Sequence, residues 1–332
     1  MERRERHRFR ACHTYGKAIG VNHVSRSLAF YGKGGVGKST VVSNLTATLA
    51  QMGRRVLQVG CDPKRDSSRN LIKTFPPITL MDLLSAGRSG LKQSDIVMDG
   101  GKNVDCIEVG GPKPGVGCAG RGLGRLFEEL EEMNIFDEDY DYIFYDVLGD
   151  VVCGGFAVPM RSGYAEEVCV VTSGEFMSLY AANNIARGIQ NYANEGDVRM
   201  GGLIANVKDL AYDRELIEKF AERIGTHVVY YLEWNKVVYE AERRRQTVVR
   251  YKPDDPFTKT WFQLAEAIEN NTRPHVPKPM EDNELDVFLE TLFGFPKAED
   301  APVRPSSAPA AFSAGATCCD EKPRAALGTV ED

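Results

Sequence analysis

An α/β fold with a doubly wound, mostly parallel sheet is the architecture this sequence predicts, and two observations carry the prediction. Short apolar runs rich in β-branched residues alternate with longer segments of helical character, the pattern of parallel strands joined by crossover helices. The first strand-to-helix junction holds the glycine run "GKGGVGKST", residues 32–40. Ligands of such sheets bind beyond the carboxyl ends of the strands.

The elements follow in chain order. "SLAFYG" reads as a strand, "STVVSNLTATLAQMG" as the helix behind it, and "RRVLQVGCD" as the next strand. A helix-like segment follows "GCAGRGLG", residues 117–124. "YDYIFYDVLG" and "EEVCVVTS" are further strands, and "MSLYAANNIARGIQNYA" is a helix. "MGGLIANV", "RELIEKFAERIG" and "HVVYYL" complete the alternation as strand, helix and strand. The strand runs are apolar over most of their length, as strands covered on both faces must be.

With 332 residues, 42% of them hydrophobic and 27% charged, the chain can bury a sizeable core in one large or two ordinary domains. Its formal net charge of −6 argues against a nucleic-acid partner, which would call for a basic footprint. No apolar stretch reaches membrane-spanning length, and the N-terminus lacks the apolar core of a secretory signal. No membrane association is expected, and the expected location is the cytoplasm. There the eight cysteines are expected as thiols or metal ligands and not as disulfides.

Three regions are expected. Residues 1–27 are rich in Arg and His without periodicity and read as a mobile arm. Residues 28–295 form the ordered domain. Residues 296–332 turn to Pro, Ala and Ser, too little apolar surface to offset chain entropy, so a disordered tail is expected. Its neighbouring Cys318 and Cys319 are poorly spaced to share a metal.

The glycine run satisfies G-x-x-x-x-G-K-[ST] between a strand and a helix. Backbone N–H groups of Gly32, Lys33, Gly34, Gly35, Val36 and Gly37 are expected to cradle phosphates at the helix N-terminus. Lys38 is expected at the β and γ phosphates and Ser39 on Mg²⁺. Lys33 makes the loop a two-lysine variant. It suits a role across a dimer interface, neutralising phosphate charge in the partner's site as an arginine finger does, or a plain solvated position.

Two other strand ends supply acids. "VLQVGCDPKRDS" brings Asp62 and Asp66; "YIFYDVLGD" brings Asp146, Gly149 and Asp150. Asp146 suits the Mg²⁺ shell, the Gly149 N–H suits γ-phosphate sensing, and Asp62 is the candidate to orient the attacking water. Each alone could be a turn former.

Two cysteines stand in glycine-rich loops, Cys118 in "GCAGRGLG" and Cys153 in "DVVCGGF". Cys153 lies at most about 13 Å along the chain from Gly149, so nucleotide hydrolysis would pull on it directly. Two thiolates are half the ligand set of a four-cysteine iron–sulfur cluster, and a twofold homodimer would supply the rest. Two unrelated core thiols are the plain alternative.

At this point the chain resembles the nitrogenase iron protein (dinitrogenase reductase) family, from residue 28 to about 294. "YGKGGVGKST", "GCDPKRDS", "GGPKPGVGCAGRG", "YDVLGDVVCGGFAVP" and "SGEFMSLYAANNI" are similar to its motifs, in its order. The resemblance implies a homodimer bridged by one [4Fe-4S] cluster. It implies MgATP hydrolysis gating single-electron transfer to a nitrogenase-like catalytic partner, with ferredoxin or flavodoxin as electron donor. It makes Cys118 and Cys153 the cluster ligands, Lys33 the signature lysine, and Lys38, Ser39 and Thr40 phosphate or Mg²⁺ contacts. It makes Asp62 and Asp146 the switch acids and Asn206 an adenine contact, and it aligns Arg121 with an arginine that some members carry ADP-ribosylated, on the partner-docking face.

The chain also departs from the family. Glu233, Trp234 and Asn235 replace a Pro-Arg-Asp turn near the base, "VKD" follows Asn206 in place of "SR", and Ala205 stands where a cysteine is common. These departures suggest a specialised relative, of methylthio-alkane reductase type, with the iron protein of a true nitrogenase as the alternative. Two other classes share features: partition-type positioning ATPases have the two-lysine loop, and cluster-assembly scaffold ATPases have bridging cysteines. The former lack paired cysteine loops, and the latter usually present their cysteines as a closely spaced pair.

Overall fold

The computed structural model describes residues 25–111, 119–149, 157–193 and 197–294. Residues 1–24 of the arm, the tail, Cys118, Asp150 and Cys153 lie outside these residues; Arg26 and Ser27, expected at the end of the arm, instead belong to the first strand, where they pair with the neighbouring strand. One compact unit ends at Phe293, and of the second, Gly294–Asp332, only Gly294 is described.

The strands are β1 (Arg26–Tyr31), β2 (Val56–Gly60), β3 (Met98–Asp99), β4 (Val104–Glu108), β5 (Tyr142–Asp146), β6 (Glu167–Thr172), β7 (Arg199–Val207) and β8 (Val228–Glu233). The helices are α1 (Lys38–Gln51), α2 (Leu80–Ser85), α3 (Gln93–Ile96), α4 (Ala119–Glu132), α5 (Val158–Arg161), α6 (Phe176–Ala193), α7 (Leu210–Arg223), α8 (Lys236–Glu242), α9 (Val248–Tyr251), α10 (Thr258–Glu269) and α11 (Asp282–Phe293). The strands form one sheet in the order β3-β4-β2-β5-β1-β6-β7-β8. Every pairing is parallel except β3 with β4.

Alternation along each strand divides the core in two. On β1, Leu28 and Phe30 face one layer while Ala29 and Tyr31 face the other. β5 sends Tyr142 and Phe144 to the first layer, and Ile143 and Tyr145 to the second. In the first layer α1 and α10 lie on the sheet through Val41, Leu45, Leu49, Trp261, Leu264 and Ile268. In the second, α4 contributes Leu123, Phe127 and Leu130, and α6 contributes Leu179, Ala182, Ile185 and Ile189. Those spacings of three and four put one helical face on the sheet. Helices therefore cover both faces, and the expected doubly wound α/β fold is the one observed.

Every run read as a strand or helix falls on an element of the expected type, but "GCAGRGLG", read as a loop ahead of a helix, already contains the start of that helix from Ala119. The reading did not name β3, β4, α2, α3, α5 or the helices from α8 onward. Of these, β4 matters most, because it ends on the buried Glu108. Among the described residues, no helix is long and apolar enough to cross a membrane.

Candidate nucleotide site

β1 lies between β5 and β6, so the chain leaving its carboxyl end enters a crevice at the switch point of the sheet. Residues 32–37 form that turn, and α1 begins at Lys38. Two glycines are required there by close approach. A Cβ on Gly32 would stand 2.2 Å from the Val171 carbonyl oxygen; Gly37 has φ 93°, and a Cβ there would meet the Asn206 amide nitrogen at 2.5 Å. That amide donates to the Val36 carbonyl at 2.7 Å, fixing the end of the turn. The first N–H groups of α1 lack intrahelical acceptors, which suits the turn to an anion.

Lys38, the first residue of α1, is buried and ion-paired with the fully buried Asp146. Its Nζ is 3.4 Å from Ser39 Oγ. Parallel register sets Asp146 beside Phe30 of β1 and Gly60 of β2, and the Cys61 N–H donates to its backbone carbonyl at 2.9 Å. The second carboxylate oxygen, Oδ2, is buried and has no protein partner. Three residues on, the Gly149 carbonyl accepts from the Gly32 N–H at 3.5 Å. A Cβ on Gly149 would lie 3.1 Å from both the Gly32 oxygen and the Gly34 nitrogen. The structure thus brings together Gly32, Gly34, Lys38, Ser39, Asp146 and Gly149.

The acids after β2 approach the same edge. Asp62 is buried; its Oδ1 accepts from the Lys64 N–H at 2.9 Å and its Oδ2 pairs with Lys64 Nζ at 3.1 Å. Asp66 has a buried, unpartnered Oδ1, and burial, with Asp62 nearby, pushes its carboxyl above the ordinary value. Among the described residues, no three His, Cys, Asp or Glu side chains gather as a metal site by themselves. The donors present instead fit Mg²⁺ brought by phosphates, which keeps only one or two protein ligands.

Several side chains behave in ways the sequence did not indicate. Lys33 pairs with the exposed Glu175 at 3.4 Å, and Lys208 pairs with the other oxygen of Glu175 at 3.3 Å. Bonds from Lys208 and Lys33 hold the Glu175 carboxyl below its usual range. Thr40 donates to Glu242 of α8. Glu108 and Glu242 carry no local motif; they become visible only when β4 and α8 are placed.

Beside α1 a cleft is lined by Gly37, Thr40, Asn206, Trp234, Asn235 and Tyr239. β8 delivers this segment: Glu233 pairs in register with Val207, and the Trp234 N–H donates to the Val207 carbonyl at 2.8 Å. Asn235 caps α8, accepting from the Val237 N–H at 2.9 Å. Trp234 and Tyr239 stay exposed at 66% and 59%, so aromatic surface stands open next to the glycine loop. Glu233, Trp234 and Asn235, three of the residues that depart from the family pattern, therefore wall a cleft beside the glycine loop.

The cysteines divide. Cys61, Cys106 and Cys169 are free and buried. Burial pushes the thiols of Cys61 and Cys106 well up and that of Cys169 to about 12, so these three are core residues. Cys118 and Cys153 lie outside the described residues. Arg121 is on the first turn of α4.

A glycine loop on a helix N-terminus, a buried lysine, and an acid on the adjoining strand end define a P-loop NTPase on a doubly wound sheet. Solved structures share the fold. The septum site-determining protein MinD of Pyrococcus horikoshii OT3, complexed with Mg-ADP, is 23% identical over 74% of this chain and 97% of its own, with a TM-score of 0.58. The cell division ATPase MinD of Pyrococcus furiosus is 24% identical over 74% and 99%, with a TM-score of 0.59. A ParA family ATPase from Chlorobium tepidum TLS is 20% identical over 74% and 98%, at 0.57. The chain belongs to the NifH/frxC family of 4Fe-4S iron sulfur cluster binding proteins, whose family model matches residues 26–293. It is accordingly an ATP-hydrolysing enzyme.

Proposed function

We propose that this protein is the ATP-dependent reductase component of a nitrogenase-like system, passing single low-potential electrons to a catalytic partner. Family membership over residues 26–293, joined to the buried Lys38–Asp146 pair at the glycine loop, carries this reading. The working unit is a homodimer, with Cys118 and Cys153 of each subunit holding one [4Fe-4S] cluster between them. That cluster supplies a one-electron couple. Ferredoxin or flavodoxin reloads it, and the final acceptor is a nitrogenase-like heteromer of methylthio-alkane reductase type, with a true nitrogenase as the alternative.

The chain's own groups give the coupling. ATP phosphates entering the glycine loop compete with Asp146 for the Lys38 ammonium. Lys38 then turns to the phosphates, and the released Asp146 carboxylate, with Ser39 Oγ, serves Mg²⁺. Asp146 begins the segment 146–150 that leads to Cys153, so exchange of its partner shifts the backbone toward that cysteine. Asp62 orients water at the γ-phosphate, Gly149 N–H reads that phosphate, and Lys33 leaves Glu175 to reach the partner subunit's nucleotide. Asn206 and the Trp234 cleft take the base.

The test is anaerobic iron analysis of Cys118→Ala and Cys153→Ala. Each removes two of four ligands per dimer, so each variant should lose the cluster; about four iron atoms per dimer in either would refute the assignment. Iron chelation should also change rate with MgATP, and equal rates with and without it would count against nucleotide-driven movement at the cluster. The fold likeness to MinD and ParA proteins favours one second reading, a partition-type positioning ATPase. Protein purified anaerobically that lacks iron–sulfur absorbance would support it.

A further inference from the structure

The geometry points to Glu108 as the positioning residue that sets the water-orienting loop, residues 62–68, against the phosphate site. This rests on the reading of the site as an ATPase centre.

Glu108 ends β4, opposite Gly60 of β2 in the parallel register. Its side chain is 1% exposed, and it crosses under the loop that follows β2. Oε1 accepts twice from one residue, from the Ser68 N–H at 2.7 Å and the Ser68 hydroxyl at 2.6 Å. Alongside, Gln58 of β2 donates its amide to the Ser67 carbonyl at 2.9 Å and its hydroxyl at 2.8 Å. The loop is thus pinned from below at its far end by two strands. Its near end is the carboxyl terminus of β2, and on its outer side Arg65 makes a two-pronged pair with Asp82 at 2.7 and 2.9 Å.

Room for this clamp is made by the backbone. A Cβ on Gly60 would stand 2.2 Å from Glu108 Oε2 and 2.7 Å from Ser67 Cβ. Oε2 itself is buried without a partner, so the carboxyl is held by Ser68 alone. Asp62 and Asp66 ride between the two anchors. They lie on a segment whose side-chain orientation toward a phosphate depends on where Ser67 and Ser68 sit. Beyond Glu108 the chain passes Gly111, where a Cβ would meet Pro63 at 2.7 Å. The segment that leaves the clamp strand therefore also approaches the residue after Asp62 closely.

Three variants test this: Glu108→Ala, Glu108→Gln and Ser68→Ala. Glutamine retains the Oε1 acceptor; alanine does not. In Glu108→Ala, kcat for ATP should fall about tenfold or more while KM stays within about twofold, because the loop is misplaced and the phosphate cradle is not. Amide hydrogen exchange of the nucleotide-free protein should speed up in residues 62–72 and stay unchanged in residues 38–51. Glu108→Gln should restore both readouts to within about threefold of wild type, and Ser68→Ala should fall between. Wild-type kcat and exchange in Glu108→Ala, or loss as severe in Glu108→Gln as in Glu108→Ala, would overturn the proposal. If Glu108→Ala does not fold, unaltered exchange and kcat in Ser68→Ala overturns it equally. The exchange measurement needs no nucleotide, so a wild-type protein that fails to hydrolyse ATP refutes the ATPase reading separately.

Discussion

Replacing Lys38 with methionine strands a carboxylate. The substitution keeps most of the side-chain volume and removes the ammonium paired with Asp146, a residue with no exposed surface and a second oxygen already unpartnered. Breaking a buried pair by deleting one member costs about 3–5 kcal/mol, most of it the uncompensated charge left behind. For a unit of this size that corresponds to a fall in Tm of about 10 °C. Urea or thermal denaturation of the nucleotide-free protein measures it. The double variant Lys38→Met/Asp146→Asn should recover most of the loss, since no charge is then left buried, while neither variant binds MgATP. A single variant within about 1 kcal/mol of wild type, or a double variant no better than the single, would refute the claim that the pair is buried and coupled.

Glu108 gives a pH dependence: burial raises its carboxyl from 4.5 to about 7, so folding favours the protonated form. The associated stability is full below about pH 4.5 and is lost as pH rises through about 7, a change on the order of 3 kcal/mol. Denaturation midpoints at acid and alkaline pH should differ less in Glu108→Gln than in wild type, and equal differences would contradict the assignment. Trp234→Ala should weaken MgADP binding about tenfold by calorimetry if the open indole stacks on the base; unchanged affinity would remove Trp234 from the site. Arg121→Glu should slow partner-dependent electron transfer and alter its salt dependence while leaving the cluster spectrum intact, and transfer unchanged across a salt series would exclude a docking role. Mixing the reduced protein and MgATP with an authentic dinitrogenase component should yield little ammonia from N₂, whereas efficient formation would favour the true nitrogenase.

What could be read from the sequence is what is local. Strands β1, β2, β5, β6 and β7 announce themselves because each is buried on both faces and apolar over most of its length, while β8, at the sheet edge and only partly buried, is legible from its β-branched and aromatic run. The phosphate cradle is legible because one continuous run of residues builds it. β4 escaped because "VDCIE" mixes two acids into five residues; Glu108 is buried against Gly60 and Ser68, partners that its own neighbours in sequence do not reveal. Thr40 shows the opposite limit. The family resemblance implies a phosphate or Mg²⁺ contact, yet its hydroxyl meets Glu242, a partner brought from far along the chain by α8.

The placing of β5 between β1 and β2 has a consequence for how the protein comes to exist. Phe30, Gly60 and Asp146 are neighbours across the sheet, so the Lys38–Asp146 pair cannot form until the chain has closed a long loop and slotted a late strand between two early ones. Such non-local pairing is slow and arrives near the end of folding. An emerging chain that has made only β1, α1 and β2 already displays the full glycine motif but has no strand to hold Asp146 behind it. Nucleotide that needs both halves recognises the finished topology alone, and its binding energy then adds to the stability of the whole unit and not of any fragment.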